Sequence, residues 1–265
     1  MQTKPVLRLK GVGMIDSHCH LEQRDFDADR DEIIEKCKKE LKAVITCCAH
    51  PSDFDLTIKM TNKYKNFVFA TFGIHPEFIK EIREKEKDKF MGRIKENKSS
   101  IVGIGECGLD YFWVKDETLR EKQKELFIEF INLAKDLKLP LVIHARDAVE
   151  DAIKILEKCD ARNVQMHMFG SKNLLQRVIE NGWRISIGPI IKTSKAHRKI
   201  ARDMPIENIL LETDSPWFGF GKRNDPLSIK LVAEKIAEIR KLDFEKVWKT
   251  CGENAARFFG LPVKI

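Results

Sequence analysis

Short apolar runs alternate with longer amphipathic stretches along the whole chain. The runs 13-GMID-16, 43-AVITCC-48, 67-FVFATFG-73, 101-IVGIGE-106, 141-LVIH-144, 164-VQMH-167, 184-RISIG-188 and 208-NILLETD-214 are brief and mostly apolar. Each predicts a strand. Between them, apolar residues recur at three- and four-residue spacing over 28–42, 53–65, 77–96, 116–138, 147–158 and 171–182, which predicts helices. Segments 194–203 and 227–241 follow the seventh and eighth strands, and two further short helices are expected at 244–251 and 253–260. Eight strands, each trailed by a helix, predict parallel βαβ units. Strands this apolar need cover on both faces, which favours a closed α/β barrel of the (β/α)8 type over an open sheet.

Length agrees with that reading. The chain has 265 residues, and a (β/α)8 barrel takes about 250. No linker, low-complexity tract or internal repeat divides it, so a single TIM-barrel domain is expected over 1–265. The formal net charge of +7 suits an anionic substrate. It does not require one, because 80-KEIREKEKDK-89 mixes both signs and reads as a solvated helix face. Seven cysteines form an odd set without a CxxC, which indicates neither a zinc ribbon nor a disulfide framework. With no apolar signal core and no run near the ~18 apolar residues of a membrane span, a cytoplasmic protein is expected. With no exposed heptad or apolar strip, a monomer is expected.

The chemistry lies where those strands end. Barrels gather their active sites at the carboxyl ends of strands. There the chain places His18, His20, His50, His75, Glu106, His144, His167 and Asp214, leaving only His197 of its seven histidines elsewhere. Alternation along a strand turns His18 and His20 to the same side. Imidazole and carboxylate ligands suit Zn²⁺, Mn²⁺ or Mg²⁺. Glu106 can bridge two such ions, and Asp214 can bind one and take the proton from an attacking water. Each residue also has a purely structural reading: His144 and His167 as polar strand caps, Asp214 in 212-ETDSP-216 as a turn former. Six of them together in strand order make the metal site the better account.

The stretches 16-DSHCHL-21, 73-GIHPE-77, 103-GIGECGLDY-111, 144-HARDA-148, 167-HMFGS-171, 211-LETDSPW-217 and 254-NAARFFG-260 span nearly the whole chain. In combination they resemble the TatD-related deoxyribonucleases, metal-dependent hydrolases of the amidohydrolase superfamily. The resemblance implies that His18, His20 and Asp214 hold one divalent metal, with Glu106 bridging to a second held by His144 and His167. It implies Asp214 and Glu106 as the catalytic pair. It also sets His75 and Arg146 against substrate phosphate, and Arg223 and Asn224 of 222-KRNDP-226 at the site mouth. For Arg146 and Arg223 an ordinary salt bridge is the competing role, and His50 reads as structural or as pocket rim. The implied activity is phosphodiester hydrolysis of DNA, 3′–5′ exonuclease-like, with two metal ions and an activated water. The same ligands would equally serve an ester or amide hydrolase, such as a deacylase of misacylated tRNA. Trp217, Phe218 and Phe220 either stack on an unpaired base or pack on the rim. The chain departs from the family at Glu77, where a second histidine is frequent, and in the short aromatic loop 217-WFGFGK-222. Both bear on substrate preference.

Overall fold

The computed structural model describes residues 13–263. Eight strands lie in chain order in one parallel sheet: β1 (Ile15–Cys19), β2 (Ala43–Cys48), β3 (Val68–Phe72), β4 (Gly103–Asp110), β5 (Leu141–Arg146), β6 (Val164–Met166), β7 (Arg184–Ile187) and β8 (Ile209–Leu211). The sheet curls back on itself. Thr213 and Asp214 N–H donate to the His18 carbonyl at 3.3 and 3.0 Å, and His20 N–H donates to the Ser215 carbonyl at 2.8 Å, tying the end of β8 to β1. The helices α1 (Arg30–Glu40), α2 (Phe54–Lys63), α3 (Glu84–Glu96), α4 (Glu117–Leu137), α5 (Val149–Lys158), α6 (Leu175–Glu180), α7 (Lys195–Asp203) and α8 (Ile229–Arg240) each follow one strand. This is the expected (β/α)8 barrel.

The hydrophobic pattern explains the layers. Every residue of β2 is buried, as an apolar strand covered on both faces must be. On α5 the buried residues Ala152, Ile153 and Leu156 form one stripe against the barrel. Cys19, Cys37, Cys47, Cys48, Cys107 and Cys251 are buried free thiols and act as small apolar fillers. Inside the barrel, Ile15, Ala43, Ile45, Val142 and Leu210 pack on Phe258, Phe259 and Leu261, which close the amino-terminal end of the strands. Above that floor, Gln165 donates to Ser186 Oγ at 2.9 Å. The opposite mouth, at the strands' carboxyl ends, is left for chemistry.

Some expected boundaries moved. The two short carboxy-terminal helices are one, α9 (Phe244–Phe258). Gly252, which reads as a break, instead lets α9 approach β1: a Cβ there would meet the Gly13 carbonyl oxygen at 2.4 Å. The run 80–89 is not wholly solvated, because Lys87 is buried and bonds Glu129 of α4 at 2.7 Å. β4 continues past Glu106 to Asp110, and β5 past His144 to Arg146. Both extensions carry polar residues, which hid them from an apolar-run reading.

Gly108 makes the β4–β5 extension possible. It adopts φ +140, and a Cβ would lie 2.0 Å from the His144 carbonyl oxygen. Gly108→Ala is therefore expected to destabilise the fold by at least ~2 kcal/mol through backbone strain, read as a lower urea midpoint. An unchanged midpoint would show that β4 can move away from β5.

Candidate metal centre

The centre begins with a buried carboxylate that holds two strands. Asp16 accepts from Thr213 Oγ at 2.5 Å, from Thr213 N–H at 3.1 Å and from His18 N–H at 3.3 Å. It thereby joins β1 to the segment after β8, and so fixes His18 relative to Asp214. From β1, His18 and His20 present their Nε2 atoms 3.0 Å apart. Asp214 Oδ1 lies 3.6 and 3.4 Å from those two nitrogens. Asp214 has φ 51, a left-handed conformation that Asp tolerates better than most residues.

Glu106, 3% exposed, stands at the centre of the group. Its Oε2 is 3.5 Å from His18 Nε2 and 3.7 Å from His20 Nε2. Its Oε1 is 2.8 Å from His144 Nδ1, 3.6 Å from His167 Nε2 and 3.8 Å from His75 Nε2. Five imidazoles thus surround one carboxylate, with a second carboxylate, Asp214, beside them. Three overlapping sets have ligand atoms close enough to share a cation: His18, His20 and Asp214; His18, Glu106 and His167; and His75, Glu106 and His144.

Outer carboxylates orient these rings. His20 Nδ1 lies 3.0 Å from Glu22 Oε1 and 3.1 Å from the Cys47 carbonyl. Both partners only accept, so Nδ1 carries the proton and Nε2 faces the pocket. Glu212 does the same for His167, at 2.8 Å from Nδ1, while its other oxygen accepts from Met168 N–H at 2.8 Å. Asp110 holds His144 Nε2 at 2.8 Å, turning Nδ1 towards Glu106. His75 Nδ1 accepts from Glu77 N–H at 3.2 Å, so its Nε2 carries the proton and faces the pocket as a donor.

Charge in the pocket is finely divided. Burial opposes every charged form, yet the neighbouring imidazoles His167, His75 and His18 hold the Glu106 carboxyl well below its ordinary range. Asp214 is lowered against burial by His167, His20 and His18. Against burial again, Glu212, Glu106 and Asp214 push His167 up to about 10. His75 is instead held down to about 3 by burial and by its neighbour His144. Ionised carboxylates thus share a buried pocket with imidazoles whose inward nitrogens converge on them. Such a donor set fits divalent cations.

Of the remaining expected site residues, His75 lies among the ligand candidates. Arg146, the last residue of β5, is exposed near the mouth, with its guanidinium 3.7 Å from the centre of the Phe112 ring. Among the described residues it has no carboxylate partner. Arg223 does have one, in Asp29, at 2.7 and 2.5 Å, and also donates to the Asp25 carbonyl at 2.6 Å. Asn224 is buried and donates to the Thr213 carbonyl at 3.0 Å, which braces the loop that carries Asp214. His50 caps a 3₁₀ turn, accepting from Ser52 N–H at 3.2 Å. Trp217 meets His20 edge-on, ring centres 4.8 Å apart.

Asp16, Glu22, Asp110 and Glu212 were not expected to take part. Asp16, Glu22 and Glu212 each lie two residues from His18, His20 or Asp214, the spacing that shares a strand face, and this could have revealed them. Glu212→Gln is expected to weaken divalent-metal affinity by about 10–100-fold by freeing the His167 ring. Calorimetric titration checks this, and wild-type affinity would show that His167 is held by other means.

A (β/α)8 barrel with imidazoles and carboxylates converging at the carboxyl ends of its strands defines a metal-dependent hydrolase. The family model described as "TatD related DNase" matches residues 15–260. The chain belongs to that family. It is 33% identical over 265 residues to Deoxyribonuclease TATDN3 of Homo sapiens, covering 96% of this chain and 97% of that protein. It is 35% identical over 258 residues to the metal-dependent hydrolase YabD of Bacillus subtilis (strain 168), covering 93% and 98%. The crystal structure of YJJV, a TATD homolog from Escherichia coli K12, superposes with a TM-score of 0.87 at 25% identity over 94% of this chain and 98% of that one. Among the described residues no helix is long and apolar enough to cross a membrane.

Proposed function

We propose that the protein is a deoxyribonuclease that hydrolyses phosphodiester bonds with two divalent ions, removing nucleotides from a 3′ end. The convergence of five imidazoles on Glu106, with Asp214 beside three of them, carries this reading. The family description and the name of the human relative support DNA as substrate. His18, His20 and Asp214 would hold one ion. Glu106 would reach both ions, and the second would rest on His144 and His167. When bound, such ions supply Lewis acidity and neutralise charge on the phosphoryl oxygens.

The chain's own groups do the rest. Asp214 is kept ionised by the surrounding imidazoles, so its carboxylate oxygens can accept a proton from the attacking water. Arg146, without a carboxylate partner among the described residues, keeps its N–H donors for a phosphate. Glu22, Asp110 and Glu212 hold their histidines in place, so that little reorganisation is left for the reaction.

The test is cleavage of end-labelled single-stranded DNA by metal-stripped protein with Mg²⁺, Mn²⁺ or Zn²⁺ restored. Mononucleotides released from the 3′ end only when metal is present are expected. Absence of cleavage with every metal, alongside hydrolysis of ester or amide substrates, would overturn the nuclease reading in favour of a deacylase. Metal binding itself is expected to raise the melting temperature. At a hundredfold excess over Kd it adds about 2.7 kcal/mol, or roughly 5–10 °C for a chain of this size. A melting temperature indifferent to all three metals would exclude a resident ion.

A further inference from the structure

Five large apolar side chains remain exposed among the described residues, and four of them sit on just two loops. Trp217 and Phe220 follow β8, and Phe112 and Trp113 follow β4. A folded chain leaves such clusters exposed where something docks. The pair after β4 is tied to His144: Asp110 holds that ring with one carboxylate oxygen and accepts from Trp113 N–H at 2.7 Å with the other.

The loop's backbone is well fixed. Lys115 donates to the Tyr111 carbonyl at 2.8 Å, and Arg120 Nε donates to the Val114 carbonyl at 2.9 Å. On this frame Phe112 and Trp113 stand edge-on, ring centres 4.8 Å apart at 84°. Arg146 covers one face of Phe112 at 3.7 Å and lies 5.5 Å from the centre of the Trp113 ring, while Trp113 is 60% exposed. Alternation along β5 turns Arg146 to the same side as His144, two residues earlier. A guanidinium stacked by its face keeps its edge, with the N–H donors, for an anion. A largely exposed aromatic ring beside a guanidinium without a carboxylate partner among the described residues, next to the metal centre, matches a base and its phosphate.

We propose that Phe112, Trp113 and Arg146 form a subsite for one unpaired nucleotide of a single-stranded nucleic acid, its base on the indole and its phosphate on the guanidinium. The subsite deepens the nuclease reading and rests on it. It selects single strands, because paired and stacked bases hide the ring faces that the indole needs.

Equilibrium binding of a fluorescent phosphorothioate oligothymidylate to Mg²⁺-loaded protein, followed by anisotropy, tests this. Trp113→Ala is expected to weaken binding about tenfold, while Trp113→Phe retains most of the affinity. Arg146→Ala is expected to make the plot of log affinity against log salt shallower by about 0.7, the loss of one phosphate contact on a single strand. Wild-type affinity in Trp113→Ala, or an unchanged salt slope in Arg146→Ala, would overturn the subsite. So would a wild-type dimer in sedimentation that Trp113→Ala dissociates, because the patch would then bind a second copy of the chain. If an unmodified oligothymidylate is cleaved while Trp113→Ala binds normally, the subsite fails and the nuclease reading stands. If Trp113→Ala weakens binding but no metal supports cleavage, the subsite stands and the nuclease reading fails.

Discussion

Asp214→Asn is expected to abolish metal-dependent turnover, by at least about a thousandfold, while the barrel stays folded. The substitution isolates chemistry from structure to an unusual degree. Asp214 has φ 51, and Asn is among the few residues that accept that conformation without strain. The amide fills the same volume and still takes part in hydrogen bonds. What it loses is the negative charge, and with it both a cation ligand and an acceptor for the proton of the attacking water. Asp214 Oδ1 lies 3.4–3.6 Å from His20 and His18 Nε2, so the amide also removes the anion that those rings share. Steady-state rates with saturating metal, set beside thermal melts of metal-free protein, check both halves of the expectation. Turnover near that of the wild type would exclude Asp214 as base and as ligand. A collapsed melting temperature would show that the residue is needed for the fold.

The sequence revealed the barrel because its signals are local. Eight apolar runs separated by amphipathic stretches need only short-range periodicity to be recognised, and all eight strands are present in chain order. The residues at their ends were legible by type, since histidines and acids rarely finish so many apolar runs. What stayed hidden depends on contacts distant in sequence. Arg146 and Arg223 look alike in the sequence, and only the fold brings Asp29 to Arg223, 194 residues away, while Arg146 has no such partner among the described residues. His75 meets His144 across 69 residues at 3.2 Å, which places it among the ligand candidates and not only beside a phosphate. The ends of β4 and β5 were missed for a different reason. Residues that face the barrel mouth are polar because the site needs them so, and polarity reads as the end of a strand. Function thus obscured the very boundary at which it resides.

If two ions bind as proposed, Glu106→Ala is expected to lower the number of divalent ions bound per chain to one or fewer, and to remove turnover with it. Among the described residues this carboxylate sits closest to both halves of the centre. Its Oε2 faces His18 and His20 at 3.5 and 3.7 Å, while its Oε1 faces His144 at 2.8 Å and His167 at 3.6 Å. Without that carboxylate, the second ion would be left with neutral imidazoles alone, a poorer set for Mg²⁺ or Mn²⁺. Metal content by elemental analysis after dialysis gives the stoichiometry directly, and two ions per chain in Glu106→Ala would refute a bridging role. The metal-free protein supplies a second reading through Glu106→Gln, which keeps the volume and removes the charge. Burial alone would raise the Glu106 carboxyl, but His167, His75 and His18 hold it well below its ordinary value. A depressed carboxyl stabilises the fold at pH values above its unfolded range, and that contribution fades as the pH falls towards its folded value. The stability gap between wild type and Glu106→Gln should therefore be full at neutral pH, up to about 3 kcal/mol for a broken buried pair. It should narrow below about pH 4, the ordinary glutamate range. Urea unfolding across that interval measures the gap. A gap that widened in acid would mean that Glu106 is protonated in the folded chain, and that His167 does not carry the charge assigned to it.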